Sequence, residues 1–336
     1  MVSLIPALFI VLLISFGVVY LLTPFLIKKL VKMKLTGPDL NKEHKPEVPR
    51  IGGISLFLGF ILAILVSLYL SPNPNVELML AAISSITLIG FLGLMDDVLN
   101  IKDIYRVILP FFAALPLMLV TAGTSTMVMP LIGAVNFNYG LLALPLIGTI
   151  QLNLYALILI PIGIVACSNL INLLSGFNGL EAGTGLVTSL ALLISFALST
   201  QAGMVHEPLF LLVATIGSCL AFLIFNWYPA KIFPGNITTY TLGATIAAVV
   251  ILGNIERAGV IALTPQIVEF FLKTRTFFRA ENFGESINGR LHYNGKISSL
   301  THLIMRYFKP TEKQLVLILL SIQAIFGILA IISIKI

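Results

Sequence analysis

Long apolar stretches follow one another along nearly the whole chain, and they constrain its fold more than any other feature. A membrane-spanning helix needs roughly 20 mostly apolar residues. About ten stretches meet that requirement, and they begin near residues 4, 51, 78, 107, 151, 183, 208, 238, 257 and 314. Only 10% of the residues are charged, against about a quarter in a soluble domain. The sequence therefore predicts one all-α integral membrane domain over residues 1–336.

Two of these stretches and one connecting region carry further signals. The first stretch has no basic residue before it and no small-residue cleavage site, so we expect a retained helix and not a removed signal peptide. The stretch near 257–272 is the weakest of the ten, because it contains Pro265, Gln266 and Glu269. Region 122–150 combines Gly and Pro with short apolar runs, Met127–Leu131 and Ala134–Phe137, which favour a small β-hairpin at the outer surface.

The basic residues orient the chain in the membrane. Eighteen of the 20 Lys and Arg residues lie in loops 28–50, 96–106, 226–237 and 273–313. Cytoplasmic loops carry an excess of Lys and Arg, so we expect these loops, together with 169–182, on the cytoplasmic side and both termini outside. The net charge of +6 is therefore concentrated on one face. We expect the lipid bilayer as a partner and no nucleic acid.

Two adjacent carboxylates, Asp96 and Asp97, end the third apolar stretch. Adjacent side chains on a helix point about 100° apart, so we expect the two to serve different partners. Paired carboxylates hold a hard cation or accept a proton. Negative charge at a helix C-terminus also opposes the helix dipole, which favours a functional over a structural role.

Amide side chains cluster at the next cytoplasmic position. Asn169 and Asn172 are three residues apart and share a helix face. Asn178 and Glu181 follow in a glycine-rich stretch, where the backbone can approach a ligand closely.

Two further loops carry groups suited to phosphate. In 226–237 a Pro-Gly turn leads into the eighth stretch, and helix N-termini bind phosphate through free backbone amides. Phe233 is a candidate to stack on a nucleobase, and Lys231 is a candidate to meet a phosphate. In loop 273–313, Arg275 and Arg279 are candidates for a bidentate diphosphate clamp.

Neither cysteine nor histidine suggests a metal centre. Cys167 and Cys219 lie in apolar runs, where packing is the expected role, and the four His residues are scattered. The clusters of oxygen ligands instead suit a Mg²⁺ ion, with Mn²⁺ as an alternative, that holds a diphosphate at the membrane surface.

Four ordered motifs resemble a known family. They are Pro-Arg-Ile-Gly-Gly (49–53), Gly-Leu-Met-Asp-Asp-Val-Leu-Asn (93–100), Asn-Leu-Ile-Asn-Leu-Leu-Ser-Gly-Phe-Asn-Gly-Leu-Glu-Ala-Gly (169–183) and Asn-Trp-Tyr-Pro-Ala-Lys-Ile-Phe-Pro-Gly-Asn (226–236). The chain is similar to the polyprenyl-phosphate N-acetylhexosamine-1-phosphate transferases over nearly its whole length. Asp39-Leu-Asn-Lys42, Asp-Asp-Val-Leu-Asn and Asn-Trp-Tyr-Pro are typical of the eukaryotic and archaeal branch. The bacterial phospho-MurNAc-pentapeptide translocases resemble it more distantly, and their His-rich motif in the last cytoplasmic loop is not found in this sequence.

The resemblance implies transfer of GlcNAc-1-phosphate from UDP-GlcNAc to dolichyl phosphate, with UMP as the second product. It implies a role for each matching residue. The catalytic set is Asp96, Asp97 and Arg106, with the pair acting as a base or as lipid-phosphate ligands. The predicted metal ligands are Asn172 and Asn236. The nucleotide-sugar set is Asn178, Glu181, Lys231, Phe233, Arg275 and Arg279. The lipid-phosphate set is Lys42 and Asn100.

Two positions depart from the family pattern. Asn236 stands where the family normally has an Asp that binds Mg²⁺, and an amide oxygen can coordinate the ion but lacks the charge. Thr276 stands where the eukaryotic branch has a His beside the loop Arg. We therefore expect weaker metal binding at Asn236, unless Asp96 or Asp97 compensates.

Two other classes of function are weighed beside the transferase. A secondary transporter of an anionic solute commonly shows internal repeats and polar residues near the bilayer midplane, whereas here the polar residues lie at the edge. A non-catalytic lipid-binding protein agrees with the Asn236 departure.

We expect the site on the cytoplasmic face, in the plasma membrane of a prokaryote or the endoplasmic reticulum of a eukaryote. A homodimer is left open.

Overall fold

The computed structural model describes residues 3–124, 126–129, 133–144, 148–200 and 205–335. The helices are α1 (Leu4–Lys32), α2 (Gly53–Leu70), α3 (Val76–Leu99), α4 (Asp103–Ala113), α5 (Leu115–Leu119), α6 (Ile160–Leu173), α7 (Leu180–Ala197), α8 (Glu207–Asn226), α9 (Asn236–Leu252), α10 (Glu256–Ala262), α11 (Thr264–Thr274), α12 (Leu300–Phe308) and α13 (Glu312–Ser333). A π-helical turn, Tyr155–Leu159, leads into α6.

Short strands form four antiparallel pairs in the described residues. They are β1 (Thr36–Pro38) with β2 (Glu47–Pro49), β3 (Thr126–Met129) with β4 (Gly133–Asn136), β5 (Asn138–Leu144) with β6 (Gly148–Asn153), and β7 (Glu285–Ile287) with β8 (Arg290–His292). Region 122–150 therefore holds the strand pair β3–β4 and most of the pair β5–β6, while the connecting residues 130–132 and 145–147 lie outside the described residues. Leu131, at the end of one predicted run, lies outside the described residues.

The helices confirm the all-α membrane class. Within the described ranges, seven helices are long and apolar enough to cross a membrane, namely α1, α2, α3, α6 with its π-helical turn, α7, α8 and α13. Helix α9 is apolar and has 17 residues. The two remaining predicted segments are each divided into short helices, α4–α5 and α10–α11. Both divisions fall just before a proline, Pro116 or Pro265, which lacks an N–H and restricts the residue before it.

The outer helices present apolar side chains to their surroundings. Ile5, Leu21 and Phe25 of α1 are 80%, 75% and 62% exposed. An apolar face of this kind is a liability in water and is suited to lipid. Helices α8 and α9 lie inside: α1, α2 and α7 pack on α8, and α3 and α6 pack on α9.

Polar side chains join the buried helix faces. The Thr23 hydroxyl donates to Ser55 Oγ at 2.8 Å and connects α1 to α2. Gln266 Nε2 donates to Gln323 Oε1 at 2.8 Å, and Gln323 Nε2 lies 2.9 Å from the Thr188 hydroxyl, so α11, α13 and α7 are linked. Interhelical hydrogen bonds of this type hold helices together where lipid gives no hydrophobic driving force.

Several helix termini meet at one end of the bundle. Helices α3 and α6 end there, and α7, α9 and α13 begin there, as the hydrogen bonds between their terminal residues show. Gly93 permits one of these close approaches, because a Cβ at this position of α3 would lie 2.7 Å from the Asn236 carbonyl oxygen of α9. The β1–β2 hairpin lies at the same end, where the Phe233 N–H donates to the Pro49 carbonyl at 2.7 Å.

Candidate active site

Residues from distant parts of the sequence line a cavity of about 360 Å³ at this end of the bundle. Six of them were predicted from the sequence: Asp97, Asn172, Asn178, Glu181, Phe233 and Asn236. The lining also includes polar and aromatic residues that were not predicted: Asp39, Asn41, Arg50, Ser175, Thr239 and Phe283. Apolar helices thus bring the polar motifs together at their ends.

Asp97 holds the start of α9. The backbone N–H groups of Asn236 and Ile237 donate to Asp97 Oδ1 and Oδ2 at 2.7 and 3.0 Å. These amides have no partner within the helix, and the carboxylate also complements the positive end of the helix dipole. Gly235 precedes the helix with φ at +77°, and a Cβ there would lie 2.6 Å from Asp97 Oδ2. The preference for glycine at 235 therefore follows from the carboxylate beside it.

Asp96 faces a different set of partners, as its position next to Asp97 predicted. It is buried and does not line the cavity. Arg106 Nε lies 3.0 Å from Asp96 Oδ2, and the Ile101 N–H donates to Oδ1 at 3.0 Å. Asn236 Nδ2 donates to Asp96 Oδ2 at 2.8 Å. Asp96 thus orients Arg106 and Asn236, while Asp97 is the carboxylate that a ligand in the cavity can reach.

Amide and hydroxyl oxygens line the wall between α6 and α9. Thr239 Oγ1 lies 3.0 Å from Asn172 Oδ1. Asn236 uses its Nδ2 for Asp96, and among the described residues its Oδ1 accepts no hydrogen bond. Asn172, Asn236, Thr239 and Asp97 therefore form a patch of oxygen ligands on one side of the cavity.

The loop between α6 and α7 also lines the cavity, and two acceptor atoms that adjoin it are unpaired. The Gly176 N–H donates to Glu181 Oε1 at 2.8 Å, and Asn41 Nδ2 donates to the Gly176 carbonyl at 2.9 Å. The second oxygen of each side chain, Glu181 Oε2 and Asn41 Oδ1, is buried with no hydrogen-bond partner among the described residues. Buried acceptors without partners are costly, so a ligand with N–H or O–H groups would stabilise this side.

Three aromatic residues, Phe177, Phe233 and Phe283, line the cavity. Phe233 is fixed through its backbone, because its N–H donates to the Pro49 carbonyl and its carbonyl accepts from the Gly52 N–H at 2.8 Å. Phe283 comes from the loop before α12 and contacts the Phe177 ring, with centroids 6.0 Å apart. These rings offer faces on which a planar group can stack.

Asp39 and Asn178 of the lining form a ring of hydrogen bonds and ion pairs with Lys42 and Glu312, which lie outside the lining. Asn178 Nδ2 donates to Asp39 Oδ2 at 3.1 Å, and Lys42 pairs with the same Asp39 carboxylate. Lys42 Nζ also lies 3.3 Å from Glu312 Oε2, and Glu312 Oε1 accepts from the Asn178 N–H at 2.9 Å. Glu312, the first residue of α13, therefore fixes the loop that carries Asn178.

Other predicted residues lie away from the cavity lining. Lys231, Arg275 and Arg279 are exposed and are not among the lining residues. Asn100 ends α3 in the left-handed conformation, with φ at 49°, and is exposed. Lys42 is held in the ring with Asp39 and Glu312. Contacts from these five residues to a substrate stay predictions.

Some lining residues were missed although the sequence carried a signal for them. Arg50 lies in the Pro-Arg-Ile-Gly-Gly motif, and Asp39 and Asn41 lie in Asp-Leu-Asn-Lys, but their loop was interpreted chiefly through its positive charge. Glu312 and Phe283 belong to no motif considered above. Only the tertiary structure places Phe283 in the lining and Glu312 beside the Asn178 loop, outside the lining.

The histidines take no part in the lining. His302 is buried and stacks on Tyr293 with ring centroids 3.6 Å apart. Burial lowers its pKa below the usual value, so the ring is neutral at neutral pH. No group of three or more His, Cys, Asp or Glu side chains that could hold a metal occurs within the part of the chain that the structure describes.

Comparison with known proteins identifies the class. The family model described as "Glycosyl transferase family 4" matches residues 79–254. A Saccharolobus solfataricus protein, provisionally named UDP-N-acetylglucosamine–dolichyl-phosphate N-acetylglucosaminephosphotransferase, is 39% identical over 321 residues, or 95% of this chain and 94% of its own. The Dictyostelium discoideum protein of that name is 28% identical over 351 residues, or 93% and 85%. A phospho-N-acetylmuramoyl-pentapeptide-transferase of Clostridioides difficile is 28% identical over 298 residues, or 80% and 84%.

The apolar helices and the polar cavity at their ends define an integral membrane protein. The chain belongs to glycosyl transferase family 4. The resemblance drawn from the four motifs is thereby confirmed, both for the archaeal and eukaryotic branch and for the more distant bacterial one.

Proposed function

We propose that this enzyme transfers GlcNAc-1-phosphate from UDP-GlcNAc to a dolichyl or similar polyprenyl phosphate. The products are GlcNAc-diphospho-lipid and UMP, the first step of lipid-linked oligosaccharide synthesis. The observation that carries the proposal is that six predicted residues from separate motifs line one cavity. The names of the archaeal and eukaryotic relatives support the choice of substrates.

The nucleotide sugar suits the part of the lining that contains Phe233, Asn178 and Glu181. Phe233 provides a face for the uracil ring, and Asn178 lies in the same lining with its side chain held by Asp39. The unpaired oxygens Glu181 Oε2 and Asn41 Oδ1 are acceptors, which match the hydroxyl and N–H donors of ribose, uracil and GlcNAc. Binding would therefore satisfy groups that the protein alone leaves unpaired.

The patch of oxygen ligands formed by Asp97, Asn172, Asn236 and Thr239 fits a Mg²⁺ ion. Mg²⁺ usually binds through one or two carboxylates together with substrate phosphates and keeps several waters. Asn172 and Asn236 would hold it through amide oxygens, with Asp97 beside them. Such a small ligand set does not need a cluster of charged side chains. The bound ion would neutralise charge on the diphosphate and polarise the phosphorus that carries the sugar.

The lipid chain requires apolar surface that continues from the cavity into the membrane. A groove of about 260 Å³ runs between α6, α9 and α10–α11. Helix α6 contributes Cys167 and Leu170 to this groove and Asn172 to the cavity, so one helix connects the two. We place the polyprenyl chain in the groove and its phosphate beside Asp97.

The reaction is a displacement at phosphorus. An oxygen of the lipid phosphate forms a bond to the phosphorus that carries the sugar, and the bond from that phosphorus to the bridging oxygen breaks, so UMP leaves with that oxygen. Asp97 would accept the proton of a monoprotonated lipid phosphate, because it is the member of the pair that lines the cavity. Asp96 would hold Arg106 and Asn236 in place.

The ten predicted spans give a consistent topology. Seven long helices, α9 and the paired helices α4–α5 and α10–α11 would each cross once. Both termini would then lie outside, and the cavity would open to the cytoplasm on the same side as the basic loops. The membrane would be the plasma membrane in a prokaryote and the endoplasmic reticulum in a eukaryote.

One assay tests this function. Purified enzyme receives radiolabelled UDP-GlcNAc, dolichyl phosphate and MgCl₂, and the lipids are then extracted. We expect label in the organic phase and formation of UMP, with neither in EDTA. Label that stays in the aqueous phase would exclude the transferase and favour a transporter or a non-catalytic lipid-binding protein.

Replacing Glu312 tests how the nucleotide loop is held. Glu312→Ala removes the acceptor of the Asn178 N–H and one partner of Lys42. Because an unpaired buried donor costs about 1–3 kcal/mol, we expect the KM for UDP-GlcNAc to rise about 10-fold, with a smaller change in kcat. Glu312→Gln keeps an acceptor for the Asn178 N–H, so it should raise the KM for UDP-GlcNAc less than Glu312→Ala does. Glu43→Gln, on the exposed part of loop 28–50, is the control; an unchanged KM in Glu312→Ala would contradict the role.

A further inference from the structure

A diphosphate in the cavity requires a positive side chain beside it. From the sequence, no basic residue of the lining was assigned such a role. Phosphate sites in proteins are commonly completed by Arg or Lys. Among the described residues, Arg50 is the basic side chain in the lining. It lies in the same lining as Asp97, Phe233 and Asn236.

The other candidate cations are committed elsewhere or lie outside the lining. Arg106 pairs with Asp96 and with Asp103 at 3.1 Å, and Lys42 pairs with Asp39 and Glu312. The exposed Lys231, Arg275 and Arg279 do not border the cavity. By contrast, within the part of the chain that the structure describes, the Arg50 guanidinium makes no hydrogen bond and no ion pair. Its donors are therefore available to a ligand.

The backbone around Arg50 is held firmly. The Arg50 N–H donates to the Leu35 carbonyl at 3.0 Å directly after β2. Gly37 in β1 leaves room for the side chain, since a Cβ there would lie 2.7 Å from Arg50 Cδ. The next residue, Ile51, has φ at +64°, a conformation that a β-branched residue adopts only under strain. Strained backbone that the surrounding structure maintains is typical of functional sites.

The backbone of residues 49–53 connects Arg50 to Phe233, the proposed platform for the base. Pro49 and Gly52 hydrogen-bond to the two backbone groups of Phe233, and the Gly53 N–H donates to the Pro234 carbonyl at 2.8 Å. A base stacked on Phe233 would therefore be positioned by the same stretch of backbone that carries Arg50. The phosphates that follow the base would extend into the cavity that Arg50 lines.

We propose that Arg50 binds the diphosphate of the nucleotide sugar through its guanidinium group. This inference rests on the proposed function. A guanidinium donates two parallel hydrogen bonds to phosphate oxygens, which an ammonium group cannot do. A lipid phosphate offers the same oxygens, and the link to Phe233 favours the nucleotide as their source.

Ligand binding distinguishes the two phosphates. The affinities of UDP and of uridine are measured by calorimetry for the wild type, Arg50→Gln, Arg50→Lys and Arg290→Gln, each in MgCl₂ and in EDTA. Arg290 is an exposed Arg of β8 and controls for the loss of one positive charge. The KM of each variant for polyprenyl phosphate is measured in parallel.

We expect Arg50→Gln to bind UDP about 10-fold to 100-fold more weakly, as for loss of charge-assisted hydrogen bonds, and to bind uridine as the wild type does. Normal uridine binding also shows that the variant is folded. Arg50→Lys should recover only part of the affinity, and Arg290→Gln should match the wild type.

Three results would overturn parts of this inference. Unchanged UDP affinity in Arg50→Gln, with a raised KM for polyprenyl phosphate, would assign Arg50 to the acceptor phosphate. Unchanged values for both ligands would remove Arg50 from the site while leaving the proposed function intact. A wild type that binds neither UDP nor uridine would overturn the proposed function itself, and the assignment of Arg50 with it.

Discussion

Asp97→Asn is expected to reduce kcat by about 10²-fold to 10⁴-fold, the usual contribution of a positioned acid–base group. The substitution removes the negative charge of the carboxylate that lines the cavity. It also changes the start of α9, because the amide can accept from only one of the two backbone N–H groups that Asp97 now receives. Turnover of radiolabelled UDP-GlcNAc into lipid is the measurement.

In Asp97→Asn, a loss of turnover caused by the missing charge must be distinguished from a loss caused by unfolding. Loss of one capping hydrogen bond costs about 0.5–2 kcal/mol, so a modest fall in Tm is expected and unfolding is not. Asp103→Asn is the matched control, because the Asp103 side chain is 95% exposed and exposed ion pairs contribute little. Near-normal turnover in Asp97→Asn would remove Asp97 from the mechanism and return the question to Asp96.

Asn236→Asp is expected to change the response of the enzyme to Mg²⁺. Asn236 Nδ2 now donates to Asp96 Oδ2 at 2.8 Å. An Asp at this position would place two carboxylates against each other, and loss of the hydrogen bond alone costs about 1–3 kcal/mol. In EDTA we therefore expect a lower Tm than for the wild type. Added MgCl₂ should restore it, because a second carboxylate strengthens a site for a hard cation.

Two measurements check this expectation. Tm is followed against MgCl₂ concentration without substrate, and the MgCl₂ concentration for half-maximal rate is measured with substrate; in Asn236→Asp it should be lower. Asn75→Asp is the control, since Asn75 caps the opposite end of α3 and Asp caps a helix equally well. If Asn236→Asp responds to MgCl₂ as the wild type does, position 236 lies outside the coordination shell.

The sequence predicted the membrane spans better than their interruptions. Hydropathy located every long helix, because about 20 apolar residues have few alternatives to crossing a bilayer. It did not show that α4–α5 and α10–α11 are divided, although Pro116 and Pro265 mark both places. Hydropathy averages over a window, whereas a helix is broken by the backbone of a single residue.

The candidate site was likewise predicted only in part from the sequence. Residues at helix ends, such as Asn172 and Asn236, were identified because polar groups at a membrane edge are costly and conspicuous. Arg50 was not identified, because in a loop with many positive charges an additional Arg has an obvious topological role. The sequence also predicted that Asp96 and Asp97 face different partners. Which of them reaches the cavity depends on how α3 is rotated against α9.

The ring of Asp39, Lys42, Asn178 and Glu312 has a consequence for biosynthesis. Its members come from a loop near the N-terminus, from the middle of the chain and from the start of the last helix. During translation the Asn178 loop therefore lacks its final support until α13 has left the ribosome. A nascent chain that stops before this helix would insert into the membrane with the Asn178 loop still lacking the Glu312 carboxylate as a partner.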